Sequence, residues 1–434
     1  MKMFDVARSL LVGMLGTFAF PALVLAQLGE LDHTFGTHGF VLTSFTSTDE
    51  GDSPSAIAFY PASSTYAGRF VVAGTTEDLV EGEDQFVVAR YNADGSLDTT
   101  FNSTGYRTVS FGTYFDRCTG VAIQSDDKVV LVGTYNGYDG VNSSTNRSDL
   151  AIARINANGS MDTTFSGDGK LTQQIGSTYS DWFGVVVQKD GNILVGGRSG
   201  GYDCTIVKVT AAGAYQTHWT YSLASGSDFE GISRMVLDDG VSGSQNIYAT
   251  GCAKSGDDNR MMAMKINSSG TKQWHNIITL NGDGGGGDGI ALYDYGSNGS
   301  TEVVVGGDAD AGDDRHFAVA VLNSSDGSFY TSFSSDGKAT VNINDWDQGC
   351  NVAVQTDGKI IVGNYADGEF GFARFNTNGS LDTTFGSGDG IATATTGGWE
   401  YPTDFALNNQ GRLVAVGMSE AAADRDFAVL RFHN

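Results

Sequence analysis

The chain has 434 residues, with 60 Gly and only 4 Pro; glycine stands at about twice its usual ~7 per cent, so tight turns are frequent. Pro and Gly together stay well below the ~25 per cent typical of disordered low-complexity chains, and 40% of residues are apolar, with 25 Phe and 17 Tyr, enough for a sizeable core. Twenty-five basic against 51 acidic residues give a net charge of -26, which repels phosphate backbones and anionic lipid heads and excludes nucleic acid as an expected partner.

The first element is an export signal. Lys2 and Arg8 precede an apolar run from Leu10 to Ala26, interrupted by Pro21 and ending in Val24-Leu25-Ala26, the pattern of a cleaved signal peptide over residues 1–26. The run is short for a bilayer span, which takes ~20 residues. Residues 27–434 are then a single exported domain, secreted or periplasmic in a bacterium, with no membrane insertion after cleavage. Loss of Lys2, Asp5 and Arg8 leaves a net charge of -27.

From there one unit recurs seven times. A short apolar strand ending in Gly appears as Val71–Gly74, Val130–Gly133, Ile193–Gly196, Ile247–Gly251, Val303–Gly306, Ile360–Gly363 and Leu413–Gly417, with glycine spacings of 59, 63, 55, 55, 57 and 54. A period this long marks a repeat architecture. Each unit reads as four strands, A to D: an alternating one such as Val121–Gln124, the Gly-ended one, one like Phe86–Arg90, and one after a Leu-Asp-Thr-Thr-Phe run. Four short strands per unit, Gly-rich turns and no 3.6-residue period predict an all-β fold, a seven-bladed β-propeller of four-stranded blades.

The runs Gln355–Gly363, Phe370–Asn376 and Asn378–Gly386 resemble the delta-60 repeat of bacterial exported β-propellers. The likeness extends over residues 27 to 434, sharp in units 1, 2, 6 and 7 and degenerate in units 3 to 5, where Trp219 and Trp274 replace or displace the Phe. It implies the fold and no activity.

Comparison of the copies pairs the last residue of strand C with the Asp of the following Leu-Asp run: Arg90 with Asp98, Arg154 with Asp162, Arg374 with Asp382, whereas Lys208 meets Gln216 and Lys265 meets Gln273. Charge is kept on both sides or weakened on both. Cross-strand pairing around the C-to-D turn explains this, at ~0.2 to 1 kcal/mol each if exposed. The turns Asn92–Ser96 and Asn376–Ser380 alternate Asp and Asn like calcium loops but lack the terminal bidentate Glu, so they read as hairpin turns. The matches Gly282–Gly287 to a phosphate-binding loop and Gly197–Gly201 to a nucleophile elbow lack the helix that either chemistry needs.

Chain direction sorts the loops onto two faces. The A-to-B and C-to-D turns share one; the longer, variable B-to-C and D-to-A loops share the other. The D-to-A loops feed strand A, innermost in a propeller, so their ends ring the central channel. They carry aromatic and acidic residues together: Phe115-Asp116, Asp181-Trp182, Asp228-Phe229-Glu230, Asp345-Trp346-Asp347 and Trp399-Glu400, with Asp52 and Asp288 completing the series. Aromatic faces beside carboxylates suit a sugar or a cationic group, and the alternative is that the rings wedge between blades while the carboxylates cap loop N–H groups. The expectation is a monomeric, non-enzymatic binding or scaffold module for a glycan, a cation or a surface protein, with anions repelled. The alternative is a carbohydrate-active hydrolase or lyase using two of these carboxylates as acid and base. No cofactor is expected, and calcium is the one ion the carboxylates would admit.

Two expectations concern the chain as a whole. Arg431–Asn434 end where a C-to-D turn should begin and Gln27–Leu31 resume where it should end. Gly39–Phe45 should therefore supply the fourth strand of the last blade and bring Arg431 to Asp32. The cysteines Cys118, Cys204, Cys252 and Cys350 lack metal-binding spacing. Cys118 and Cys350 should not bridge, and Cys204 with Cys252, in neighbouring blades, is the one pair for which a disulfide is entertained.

Overall fold

The computed structural model describes residues 28–45, 51–78, 83–112, 116–135, 148–176, 180–200, 203–223, 230–255, 258–280, 285–294, 301–311, 314–421 and 425–433. Residues 1–26, the expected export signal, lie outside them. The described residues form seven four-stranded antiparallel sheets. After β1 (Phe40–Thr43), blade 1 holds β2 (Ser53–Phe59), β3 (Phe70–Asp78), β4 (Glu83–Tyr91) and β5 (Tyr106–Val109). Blade 2 holds β6 (Asp116–Ile123), β7 (Val129–Tyr135), β8 (Asp149–Ile155) and β9 (Lys170–Gln173); blade 3, β10 (Asp181–Val187), β11 (Ile193–Ser199), β12 (Asp203–Val209) and β13 (Tyr215–Tyr221). Blade 4 holds β14 (Gly231–Leu237), β15 (Ile247–Ser255), β16 (Asp258–Ile266) and β17 (Lys272–Ile278); blade 5, β18 (Gly287–Tyr293), β19 (Glu302–Ala311), β20 (Asp314–Asn323) and β21 (Lys338–Val341). Blade 6 holds β22 (Asp347–Val354), β23 (Ile360–Ala366), β24 (Glu369–Phe375) and β25 (Ile391–Ala394); blade 7, β26 (Glu400–Leu407), β27 (Leu413–Ser419) and β28 (Asp426–Arg431).

Blade 7 is completed by β1. It pairs antiparallel with β28, from Phe40 opposite Leu430 to Thr43 opposite Phe427, so the ring closes through the start of the domain, as the termini predict. The Asp32 amide donates to the Arg431 carbonyl at 2.7 Å and the Arg431 Nε–H donates to Asp32 Oδ2 at 2.9 Å.

The apolar middle strands of each blade are buried on both faces because each sheet is sandwiched between its neighbours. One such layer joins Val71 and Val88 of blade 1 to Val129 and Leu131 of blade 2. At the outer rim an aromatic ring of each unit lies on the turn glycine of the next. A methyl group at Gly270, where φ is +84°, would sit 2.2 Å from the Trp219 indole, and one at Gly213 would sit 2.8 Å from the Phe165 ring. Trp219 and Trp274 thus take over the wedge that Phe supplies elsewhere. In blades 3 and 4 the fourth strand is also longer, seven residues against four, because it follows the turn directly where the Leu-Asp-Thr-Thr-Phe run is lost.

The Arg–Asp pairs are buried rather than exposed. Arg90 is fully buried; its Nε–H donates to Asp98 Oδ2 at 2.8 Å and its Nη2 to Thr100 Oγ1 at 3.1 Å. Its Nη1 donates to the Ala157 carbonyl of the next blade. Arg154 reaches the Ala211 carbonyl and Arg431 the Ala93 carbonyl in the same way. Arg374 pairs with Asp382 at 2.8 Å. Arg90, Arg154 and Arg431 are inter-blade staples, and the value expected of an exposed pair does not apply to any of these buried pairs.

Candidate functional site

Every strand A carries a β-bulge at the same level, between Pro54 and Ala56, Cys118 and Gly120, Trp182 and Gly184, Ile232 and Arg234, Gly287 and Gly289, Gln348 and Asn351, and Pro402 and Asp404. A bulge leaves one residue outside the ladder and re-aims it. Here it faces the axis: Ser55, Thr119, Phe183, Ser233, Asp288 and Thr403 line a channel cavity of about 530 Å³. Several also stitch blades together. The Ser55 hydroxyl donates to the Cys118 carbonyl at 2.8 Å, and that of Thr119 donates to the Trp182 carbonyl.

Five of the sequence-predicted carboxylates, Asp52, Asp116, Glu230, Asp347 and Glu400, are buried at the starts of the A strands, and each accepts a backbone N–H from its own D-to-A loop. Phe45 donates to Asp52 at 2.7 Å, Phe111 to Asp116 at 2.6 Å, Leu223 to Glu230 at 2.8 Å, Ile343 to Asp347 at 2.7 Å and Thr396 to Glu400 at 2.9 Å. Capping of loop N–H groups therefore accounts for Asp52, Asp116, Asp347 and Glu400, and their burial removes them as ligand contacts. Burial pushes the Asp347 carboxyl up to about 6 despite its two N–H donors. Trp182 is fully buried in the layer between blades 2 and 3, so it cannot stack on a ligand. Asp181 is held by the guanidinium of Arg198, whose Nε–H donates to it at 2.7 Å. Phe115, Asp228 and Phe229 lie outside the described residues.

Trp346 and Trp399, which precede β22 and β26, have 47% and 49% of their surface exposed, and Tyr401 is 39% exposed. Tyr365, at the end of β23, stacks on Tyr401 with ring centroids 6.1 Å apart and planes at 22°. The Trp399 ring lies over Gly368, where a methyl would meet it at 3.3 Å. Trp346, Tyr365 and Tyr401 line a second cavity of about 720 Å³ that opens beside the first and shares Asp288, Gly349 and Pro402 with it. Asn259, Asp308 and Arg315 line the same cavity. The Arg315 guanidinium lies 5.4 Å from the Trp346 ring centroid and 3.0 Å from Asp308. Burial, together with the Asp288 charge, pushes the Asp308 carboxyl up to about 7 against the pull of Arg315. Among the described residues no three His, Cys, Asp or Glu side chains group as a metal site.

Tyr365, Tyr401 and Arg315 escape sequence reasoning, and Asp308 figures there only as the start of the acidic stretch from Asp308 to Asp314. Tyr401 directly follows the Trp399-Glu400 pair, and Asp308 and Arg315 flank the acidic B-to-C loop of blade 5, so adjacency was the available signal. Cys118, Cys204 and Cys252 are free thiols, so the neighbouring-blade pair Cys204 and Cys252 is not bridged. Cys118 and Cys350 lie within β6 and β22 rather than before them.

Three stretches, residues 68–101, 124–165 and 355–385, match a family model described as a domain of unknown function (DUF5122) beta-propeller. They fall in blades 1, 2 and 6, where the repeat is sharpest. No curated protein matches the chain in sequence. Among solved structures the chain is similar to the Dos1 propeller, at 7% identity over 91% of this chain and 95% of that one, with a TM-score of 0.51. It is also similar to the polysaccharide lyase Uly1, at 9% identity over 92% of each chain and a TM-score of 0.48. A third is a protein of unknown function from Bacteroides caccae, at 14% identity over 75% of this chain and 98% of that one, with a TM-score of 0.41. At such identities the likeness is one of fold alone: the chain is a β-propeller, three segments of which match the model of a propeller family of unknown function.

Proposed function

We propose that the protein is an exported, monomeric binding module that takes a glycan on the aromatic wall at the channel mouth of blades 6 and 7. Residues 1–26 direct export to the periplasm or beyond, and residues 27–434 are the module. One observation carries the reading: Trp346 and Tyr401, two of the exposed large aromatic side chains, stand at the starts of the adjacent strands β22 and β26 and line one cavity with Tyr365. Exposed rings forfeit apolar burial unless a partner covers them, and a pyranose ring covers an aromatic face while its hydroxyls bond to neighbouring polar groups such as Asn259 and Gln348.

The test is calorimetry with soluble oligosaccharides of glucose, xylose and N-acetylglucosamine, and of uronic acids, against the native protein and a Trp346→Ala, Tyr401→Ala double variant. At least one set should bind, and the double variant should lose tenfold or more in affinity with an unchanged thermal midpoint. Equal affinity for the two proteins would sink the assignment.

A second reading, a hydrolase or lyase at the same mouth, draws on Asp308, whose carboxyl is shifted to about 7 beside Asp288. A carboxyl half-protonated at neutral pH can act as acid or base. Release of new reducing ends from a bound oligosaccharide, abolished in Asp308→Asn, would favour it; binding without turnover favours the module.

A further inference from the structure

The cavity inside the mouth has a charge unlike that of the rest of the molecule. In a chain of net charge -26, its lining includes three arginines, Arg117, Arg198 and Arg234, and one carboxylate, Asp288. Two of the arginines are matched: Arg198 by Asp181 and Arg234 by Asp404. Asp288 feels the positive charges of Arg234 and Arg315. Arg117 differs from the others. It stands one residue into β6, its side chain is exposed to the cavity, and among the described residues it makes no side-chain hydrogen bond and no ion pair within 4.0 Å. Its charge acts on Asp84 only at longer range, where burial raises that carboxyl and Arg117 draws it down.

A guanidinium presents five N–H donors in a planar fork that matches a carboxylate. An unmatched one at the wall of a cavity, next to a half-buried phenyl ring, Phe183, is a recognition group. The far-field repulsion from net charge is screened beyond ~8 Å at physiological salt, so the local wall decides what binds there. The cavity of about 530 Å³ is within the ~300–1,000 Å³ range of ligand sites. It is continuous with the aromatic wall, so one oligosaccharide can lie on the rings and turn a substituent towards blade 2.

We propose that the glycan is acidic, a uronate-containing oligosaccharide whose carboxylate is held by the Arg117 guanidinium inside the channel. This rests on the glycan reading of the aromatic wall and departs from the expectation that anionic ligands are repelled.

The experiment compares oligosaccharide fragments of polygalacturonate, alginate and hyaluronan with their methyl esters, which keep the rings and remove the charge. Affinities are measured by calorimetry at physiological salt, with sodium sulfate as the free-anion probe. The native protein should bind at least one acid form tenfold or more tighter than its ester. Arg117→Gln should bind that acid and its ester alike, at the ester's level, with an unchanged thermal midpoint. Trp346→Ala with Tyr401→Ala should weaken acid and ester together. Equal binding of acid and ester by the native protein, or discrimination that survives in Arg117→Gln, overturns the carboxylate contact while leaving the aromatic wall intact. Sulfate binding lost in Arg117→Gln, with no oligosaccharide bound, overturns the acidic-glycan proposal and the aromatic-wall reading together.

Discussion

Arg234 of blade 4 reaches across the central channel to Asp404 of blade 7, with its Nη2 2.7 Å from Oδ1. Asp404 is buried and also accepts the Ile57 amide of blade 1 at 3.0 Å and the Asn351 side-chain N–H of blade 6 at 2.7 Å. One carboxylate therefore joins four blades on the axis, where the A strands converge and no sheet hydrogen bonds run between blades.

Asp404→Ala should be among the most destabilising single changes in the ring. It leaves the buried donors of Ile57 and Asn351 unpaired, at about 1–3 kcal/mol each. Arg234→Met should cost less, because the other donors still hold the carboxylate. Urea unfolding of both variants gives the order; an Asp404→Ala protein as stable as the native one would contradict the role of this contact.

The loop-capping carboxylates lead to a different expectation for Asp116 from that of a ligand contact. Asp116→Ala strands the Phe111 amide that it accepts at 2.6 Å and should lower stability by about 1–3 kcal/mol. Ligand affinity, measured on the fraction that remains folded, should not change. Loss of affinity without loss of stability would restore Asp116 as a contact residue.

The pH dependence has two limbs of opposite sign. Burial would raise Asp382, but the Thr384 hydroxyl, Lys359 and Arg374 outweigh it and hold the carboxyl at about 2, against an ordinary 3.8; Asp32, Asp98 and Asp162 are likewise held low. A carboxyl lowered by folding stabilises fully above its unfolded value and loses that contribution as pH falls through the folded one. Burial instead lifts Asp308 to about 7 and Asp347 to about 6. Folding then favours the protonated form, so stability declines as pH rises from about 4 towards 7. The thermal midpoint should peak at about pH 4 to 5, and Asp308→Asn should flatten the limb between about pH 5 and 8. A midpoint that rises across that range in the native protein would reverse the sign.

Gly270→Ala separates packing from backbone strain. Its methyl would strike the Trp219 indole, whereas one at Gly167, with a similar φ of +94°, would meet nothing within 4 Å. Both changes carry the left-handed backbone cost of ~1–2 kcal/mol. Only Gly270→Ala adds overpacking, about 1–3 kcal/mol more. Equal losses in denaturant unfolding would mean that the indole simply moves aside.

The fold was legible because its signals are local and repeated: the Gly-ended strands, the turn at Asn92–Ser96, and an orphaned C-to-D half-turn at each end of the chain. Part of the candidate cavity was legible too, since Trp346, which lines it, is a large, rare residue in a loop that feeds the innermost strand. What a sequence cannot display is the direction of a side chain at a strand start. Asp347 and Trp346 are adjacent, yet one points back into its loop and the other outwards. Asp181-Trp182 has the composition of Asp345-Trp346-Asp347 and the opposite burial. The partnership of Arg234 with Asp404 links residues 170 apart in the chain, and only the circular arrangement of the blades brings them together.

The pairing of β1 with β28 makes blade 7 dependent on residues from far earlier in the chain, so its sheet cannot assemble until β28 has been synthesised. Closing so large a loop costs entropy that grows only as the logarithm of its length, but contacts this distant slow folding and leave the edge of β28 open to other strands meanwhile. Moving residues 28–45 to follow residue 433 through a short linker would turn that longest-range sheet pairing into a local hairpin. Such a permuted chain should reach the same ring faster and with less aggregation on refolding.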